Sequence, residues 1–116
     1  MREYAGSIKS GKVVAYFWAS WCKPCKQQRP ILERCEKHLK DVAFVSVDCT
    51  HNVPPLSPDI EITVFPTIAV FNDGQLLTFT RPDIVKRPYV TGLHTSVRDI
   101  VKIIRNIYRQ NGVMEK

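Results

Sequence analysis

Three mainly apolar runs, of which the first is continuous, predict the strands of a sheet. They are rich in β-branched and aromatic residues, a composition typical of strands buried on both faces. The runs cover residues 13–18, 42–47 and 66–71. A fourth segment, 75–80, follows the dipeptide Asp73-Gly74, which is a strong signal for a tight hairpin turn. We therefore expect about four strands, the last of them antiparallel to its neighbour.

Two further segments carry apolar residues at helical spacing, with charged residues on the opposite face. The first begins near Cys25, and Pro30 lies inside it and should kink it. Its apolar positions are Ile31, Leu32, Cys35 and Leu39. The second begins at Ser96, where Asp99 makes a capping box. Its apolar positions are Val97, Ile100, Val101, Ile104, Ile107 and Tyr108.

The remaining segments are predicted to be a short helix and two loops. Tyr4 and Ile8 lie one helical turn apart, which favours a helix within residues 1–10. Residues 48–59 and 81–89 contain several prolines, and we expect mostly irregular or extended backbone there. Strands joined through helices run parallel, and the hairpin adds antiparallel partners. The order of elements therefore predicts an α/β fold with helices on both faces of a mixed sheet.

The composition fits one domain spanning residues 1–116. Apolar residues make up 44% of the chain and charged residues 24%, enough to build a core without structural disulfides or metal. No stretch approaches the ~20 apolar residues of a membrane span. The amino terminus has no apolar signal core, so the expected location is the cytoplasm.

The net charge of +6 favours acidic partner surfaces through long-range steering. Three cations, Lys23, Lys26 and Arg29, lie close together in the sequence near a pair of cysteines. The basic residues otherwise form no run of five or more. Nucleic acid is therefore not the expected partner.

Cys22 and Cys25 carry the strongest chemical signal. They stand at the predicted start of a helix, where Pro24 suits the first turn. Unpaired N–H groups and the helix dipole favour a thiolate at Cys22, and Lys23 should lower its pKa further. We predict that Cys22 attacks a substrate disulfide and that Cys25, one turn inside the helix, resolves the mixed disulfide.

The same cysteine spacing also occurs in zinc sites and in inert disulfides. Further zinc ligands would be Cys35, Cys49, His38 or His51, but such cysteine pairs usually recur and this chain has only one. A structural disulfide that closes so short a loop would stabilise little. Redox chemistry is the favoured interpretation, with no metal expected. We expect Cys35 in the core and Cys49 near the surface, where a regulatory or dimer-forming role stays open.

Several segments, in the same order, resemble thioredoxins. The matching segments are FWASWCKPCK at 17–26, Pro30, Phe65-Pro66-Thr67, residues 71–74 and Thr91-Gly92. The first is similar to the active-site segment of that family, whose usual form is Trp-Cys-Gly-Pro-Cys-Lys. The likeness covers roughly residues 13–107 and implies a single thioredoxin-like domain.

The resemblance implies roles for individual residues. Active-site support would come from Trp21, Lys23, Pro24 and Pro66, and substrate binding from Phe65, Thr67 and Gly92. Pro66 would follow a cis peptide bond, and the backbone of Phe65 would pair with an extended substrate segment. Gly92 would let the substrate backbone come close.

The implied activity is reduction of protein disulfides by an electron carrier that binds no cofactor. Electrons would come from NADPH through a thioredoxin reductase. Because Lys23 stands where the family usually has a neutral residue, we predict a reduction potential above the ~−270 mV of thioredoxin. Two alternatives stay open: an oxidase or isomerase in an oxidising compartment, and an interaction module of this fold whose binding is gated by redox state.

The chain departs from the family pattern beneath the cysteine pair. Tyr16 stands where thioredoxins usually bury an Asp, and Phe44 where they often place a Lys that pairs with it. The joint exchange is coherent, because either charge alone would be costly to bury. It also removes the usual proton acceptor for Cys25, so resolution should be slower or use another base.

Two more departures concern the surface. The first strand of the family is expected to be missing, which would leave residues 42–47 at an exposed edge of the sheet. Residues 81–89 resemble an insertion near the substrate face. Its basic residues are candidates for binding an acidic partner, although a solvated loop is the favoured interpretation.

Overall fold

The computed structural model describes residues 1–6, 8, 10–54, 60–81, 84–87 and 89–113, the side chains of 80, 81 and 84–87 excepted. The strands are β1 Arg2–Glu3, β2 Lys12–Trp18, β3 Val42–Asp48, β4 Thr67–Asn72, β5 Gln75–Leu76, β6 Phe79–Arg81, β7 Ile84–Arg87 and β8 Tyr89–Thr91. The helices are α1 Lys23–Glu36 and α2 Val97–Gln110.

The main sheet is mixed, with the order β1-β3-β2-β4-β5 and with β8 also paired to β4. Strands β1, β3 and β2 run parallel, whereas β4 is antiparallel to β2, β5 and β8. At the centre, Val14 lies opposite Phe44 on one side and Val70 on the other. The predicted mixed α/β architecture is confirmed, with six strands rather than about four in the main sheet.

The two faces of the sheet are covered differently. Both described helices pack on one face, where residues such as Leu32 and Ile104 share a core with β2 and β4. On the other face, the apolar side chains that meet the strands come from irregular segments, Tyr4 and Ile8 before β2 and Val53 and Ile60 after β3. The expectation of helices on both faces is therefore wrong for the described residues, because loop residues supply the second apolar layer.

The amino-terminal helix predicted within residues 1–10 is also wrong. Arg2 and Glu3 instead pair parallel with Val45 and Ser46 of β3, and the Tyr4 N–H donates to the Ser46 carbonyl at 2.8 Å. The spacing of the apolar residues in this segment fits an extended chain that covers the sheet as well as it fits a helix. The short β1 occupies the place of the strand expected to be missing, so β3 is an open edge only in part.

The segment after the hairpin turn differs most from expectation. Leu77 continues β5, since its N–H donates to the Val70 carbonyl at 2.8 Å, but β6 then leaves the main sheet and pairs with β7. Strand β8 returns to β4 with Tyr89 opposite Ala69. The predicted strand 75–80 and loop 81–89 are thus an edge strand interrupted by a second hairpin. Its prolines flank β7 in the sequence and leave the strand itself intact.

The two helices begin as the sequence predicts. The Ser96 side chain accepts a hydrogen bond from the Asp99 N–H at 3.2 Å and caps α2. Helix α1 continues through Pro30 as one element. Neither helix has the length and apolar character that crossing a bilayer requires. Helix α1 begins a few residues after the end of β2, and the cysteine pair lies at this junction.

Candidate active site

The cysteine pair lies at the amino terminus of α1 and is disulfide-bonded. Strand β2 ends at Trp18, and the Cys22 N–H donates to the Ala19 carbonyl at 3.1 Å, which closes the turn into the helix. Cys22 is the N-cap residue, and its Sγ accepts from the Cys25 N–H at 3.3 Å. The sulfur of Cys22 thus takes the place of a capping oxygen, within reach of the positive end of the helix.

The electrostatic surroundings of Cys22 favour negative charge. Lys23 and Lys26 are exposed beside it, and the first turn of α1 contains no acidic residue. Both cysteines are largely buried in the disulfide form, with Cys22 5% and Cys25 2% exposed. The predicted order of exposure is therefore observed, although the difference is small.

Tyr16 lies beneath the pair and stays neutral. Its hydroxyl donates to the Cys25 carbonyl at 2.5 Å, and the guanidinium of Arg29 lies over its ring at 5.5 Å and over the Trp18 ring at 5.1 Å. Burial raises the pKa of the Tyr16 phenol to about 12, with a smaller opposing effect from Arg29. Phe44 is buried in the same core. Aromatic side chains therefore fill the space in which the resemblance implies a carboxylate and an ammonium group.

Trp21 stands at the rim of the site. It is 65% exposed, its Nε1 donates to the Thr50 carbonyl at 3.2 Å, and its ring meets Phe65 edge-on at 5.6 Å. Val64, which precedes Phe65 in the sequence, is 49% exposed. The rim of the disulfide thus offers apolar surface to a partner.

The segment facing the rim is held by β4 and β8. The Phe65–Pro66 peptide bond is cis, as the resemblance implies, and the Gly92 N–H donates to the Pro66 carbonyl at 2.9 Å. Gly92 has a φ of +84°, and a Cβ there would meet nothing within 4 Å. Thr67 is buried and its hydroxyl donates to the Val64 carbonyl at 2.6 Å. Its side chain therefore braces the segment and is turned away from the surface.

Gln28 is a residue of this region that the sequence analysis did not single out. It is fully buried, with 0% exposure. Its side-chain amide donates to the His94 carbonyl at 3.0 Å and accepts from the His94 N–H at 2.8 Å. Position 28 falls between Cys25 and Leu32 on the inward face of α1, and this spacing was the available signal. The amide ties α1 to the loop that carries Gly92.

Leucine at position 28 should destabilise the protein by about 1–3 kcal/mol, because the part-buried N–H and carbonyl of His94 would lose their partners. Urea denaturation measures the change in unfolding free energy. Gln27→Leu is the matched control, since Gln27 is exposed on the same helix. Equal stabilities of the two variants would show that the amide pair contributes nothing.

The other two thiols are buried on opposite faces of the sheet. Cys35 packs between the helices, as expected, with its Sγ 3.9 Å from the Val97 carbonyl. Cys49 is buried against Val53 and Ile62, so the expectation of a surface thiol is wrong. Described residues of the segment after β3, Val53 and Ile62, pack in the same cluster and help to cover the thiol. Among the described residues, no group of three or more His, Cys, Asp or Glu is placed to hold a metal ion.

Alkylation of the reduced, folded protein near pH 8 should therefore modify Cys22 first. Burial raises the pKa of both Cys35 and Cys49 to about 11. At pH 8 a group with that pKa is thiolate in only about one molecule in a thousand, whereas the helix terminus and Lys23 favour the Cys22 thiolate. Mass spectrometry after iodoacetamide treatment gives the order of modification. Labelling in guanidinium chloride is the control, and Cys49 reacting as fast as Cys22 would contradict the assignment.

Comparisons with known proteins give related thioredoxins in sequence and in structure. The sequence profile of the family described as Thioredoxin matches residues 2–86. The chain is 36% identical over 78 residues to the mitochondrial thioredoxin-3 of Saccharomyces cerevisiae, which is 66% of this chain and 61% of that protein. It is 36% identical over 73 residues to a thioredoxin of Chlamydia trachomatis, which is 63% of this chain and 71% of that protein. The crystal structure of the oxidised yeast mitochondrial thioredoxin 3 matches with a TM-score of 0.59 and 27% identity, over 90% of this chain and 93% of that chain.

Proposed function

The chain belongs to the thioredoxin family, and we propose on this basis that it is a thiol–disulfide oxidoreductase that reduces protein disulfides. The observation that carries the proposal is the Cys22–Cys25 pair at the amino terminus of α1, next to the cis-Pro66 segment. The helix terminus and the neighbouring lysines favour the thiolate of Cys22, which is the nucleophile. Cys25 is the resolving thiol.

The reaction runs in two exchanges and transfers two electrons. The Cys22 thiolate attacks one sulfur of the substrate disulfide, and the other substrate sulfur leaves as a thiolate. Cys25 then loses its proton and attacks the Cys22 sulfur, which releases the second substrate thiolate and forms the Cys22–Cys25 disulfide. Tyr16, with its pKa raised to about 12, is a poor acceptor for the Cys25 proton, so water takes it.

The substrate is proposed to be an extended segment of a protein. Its backbone pairs with that of Phe65 by strand addition and passes close to Gly92, where no Cβ intervenes. Trp21 and Val64 contact its apolar side chains, because they are the large exposed apolar side chains of the described residues. Thr67 contributes through the position of its backbone, since its hydroxyl is engaged with Val64.

The proposed setting is a reducing compartment such as the cytoplasm. Free thiols at Cys35 and Cys49 beside a reactive pair fit such a compartment. Electrons come from a thioredoxin reductase, and no cofactor beyond the two thiols of this chain is required. One relative is named as a mitochondrial protein. The proposal therefore specifies reducing conditions, and the cytoplasm is one compartment that provides them.

The test is reduction of insulin by catalytic amounts of the protein with dithiothreitol as the electron source, together with a redox titration. With the protein present, we expect the insulin chains to precipitate well before they do in a reaction that contains dithiothreitol alone. No acceleration would refute the reductase. A potential near the ~−120 mV of a strong oxidant would favour the oxidase alternative instead.

Glycine in place of Lys23 should make the pair more reducing. Removing an exposed positive charge beside the Cys22 thiolate is worth up to about 1 kcal/mol, which corresponds to a fall in potential of on the order of 10–20 mV. A glutathione titration of both proteins measures the difference. Lys26→Gly is a useful comparison one residue beyond the pair, and an unchanged or raised potential in Lys23→Gly would contradict the charge argument.

A further inference from the structure

Helix α2 carries a continuous stripe of positive charge on its exposed face. Arg98, Lys102, Arg105 and Arg109 follow one another at spacings of four, three and four residues, so they lie on one side of the helix. All four are exposed. At 1.5 Å per residue the stripe is about 16 Å long.

A groove runs beside this stripe, between α2 and the end of α1. Its volume is about 630 Å³, and its lining includes all four cations of the stripe and no carboxylate. It continues through His38 and Arg105 into a second groove of about 750 Å³. That part is lined by Lys12, Lys37 and Lys40 and by one carboxylate, Asp41, which forms an ion pair with Lys12. The Arg105 guanidinium donates to the His38 carbonyl at 3.3 Å, which joins the two helices at this point. We call the combined feature the basic groove.

The charge of the groove is not neutralised by close partners along most of the stripe. Among the described residues, Arg98, Lys102 and Arg109 take no part in the ion pairs Met1–Glu36 and Lys12–Asp41. Arg109 bonds only the neutral side chain of Asn106, at 3.2 Å. The stripe therefore places four positive charges on one face of α2, in a chain whose net charge is +6.

The basic groove lies away from the disulfide. Helix α1 has 14 residues and is therefore about 20 Å long. The cysteine pair caps its beginning, whereas His38 follows its end. A ligand in the groove would leave the rim around Trp21 open.

We propose that the basic groove binds the phosphate backbone of double-stranded nucleic acid without regard to sequence. Each strand of duplex DNA carries one phosphate per about 3.4 Å of axis, so the length of the stripe matches about five phosphates of one strand. Arginine predominates in the stripe, and its planar fork suits phosphate oxygens. Backbone contacts of this kind position a protein without reading bases.

Other polyanions fit less well. Protein interfaces depend on buried apolar and aromatic anchors, and sites for single strands stack bases on aromatic rings. In the part of the chain that the structure describes, the large exposed apolar side chains are Trp21 and Val64, and neither lines the groove. The groove has no such anchor, nor the apolar wedge with which amphipathic helices enter a membrane. An interface that is polar and strongly positive is typical of duplex binding.

Nucleic acid was not the expected partner because the sequence contains no run of five or more basic residues. Helical periodicity distributes the four cations over twelve positions in the chain and brings them together only on the folded surface. A search for basic residues at spacings of three and four within 97–110 would have found the stripe.

The experiment is fluorescence anisotropy with a labelled duplex DNA of about 20 base pairs, between about 50 and 200 mM salt. We expect binding whose logarithm falls linearly with the logarithm of salt concentration. The double variant Arg98→Gln/Lys102→Gln should bind about tenfold more weakly, with a salt slope smaller by about two. The matched control is Arg2→Gln/Arg34→Gln, which removes the same charge from exposed residues that do not line the groove.

Three results would overturn the proposal: no binding by the native protein at low salt, equal weakening in both double variants, or tighter binding of polyglutamate, single-stranded DNA or phosphatidylserine vesicles than of the duplex. Insulin reduction by both variants is measured in parallel. Because the groove is distant from Cys22, we expect that activity to be unchanged, so failure of duplex binding and failure of the proposed reductase activity are separate outcomes.

Discussion

Serine in place of Cys22 should abolish protein-disulfide reduction, with a loss of about a thousandfold or more. The Cys22 sulfur is the group that caps α1 and accepts the Cys25 N–H, and a hydroxyl there is no nucleophile near neutral pH. Insulin reduction measures the loss. Cys49→Ala is the matched control because it removes a thiol that is buried elsewhere, and we expect it to retain activity.

Serine in place of Cys25 should have a different outcome, because the first exchange needs only Cys22. Mixed disulfides should form and persist, since no second thiol can attack the Cys22 sulfur. Non-reducing gels and mass spectrometry would identify the trapped partners. Trapping through Cys49, or activity that survives in Cys22→Ser, would contradict the assigned roles. If the protein is instead a binding module gated by redox state, the Cys22→Ser variant should still bind its partner.

Aspartate in place of Tyr16 should lower the free energy of unfolding by about 3–5 kcal/mol. The exchange removes a buried ring and its hydrogen bond to the Cys25 carbonyl, and it places a carboxylate in a core that contains Phe44. Urea denaturation measures the loss. Tyr16→Phe is the control that removes the hydroxyl alone, and we expect it to cost only about 1–2 kcal/mol.

The same aspartate should speed release of a mixed disulfide, because it supplies a proton acceptor near Cys25. Stopped-flow measurement of release from a preformed mixed disulfide separates this rate from overall stability. The double variant Tyr16→Asp/Phe44→Lys should recover part of the lost stability if the two positions are coupled. An unchanged release rate in Tyr16→Asp would show that resolution in this protein does not depend on a base at that position.

The parts of the fold that the sequence predicted are those with strong, local patterns. The apolar runs became β2, β3 and β4, and the spacing of apolar residues in 97–110 became α2. Two elements were mispredicted because the deciding contact is distant in sequence. The segment around Tyr4 is extended because the edge of β3 accepts it, and β8 exists because β4 has a free edge at Ala69.

The site shows the same division between local and distant information. The Cys22–Cys25 pair and the cis-Pro66 segment were identified from motifs, and the resemblance supplied their roles. Gln28 was missed because a glutamine on a charged helix usually faces solvent. Only the folded chain shows that the backbone of His94, 66 residues away, completes its hydrogen bonds. The outcome for Cys49 has a similar cause, since its cover comes from residues as far away as Ile62.

The interruption in the edge strand is a place where this fold should tolerate insertions and deletions. Leu77 and Tyr89 meet neighbouring residues of β4, so everything between them can lengthen, shorten or be exchanged while the sheet keeps its register. Phe79 is the one described side chain of the excursion that enters the core, and it would act as the fixed anchor of any replacement. Changes to the residues between Leu77 and Tyr89 would therefore alter the surface that a partner meets beside Gly92. They would leave the position of the cysteine pair unchanged.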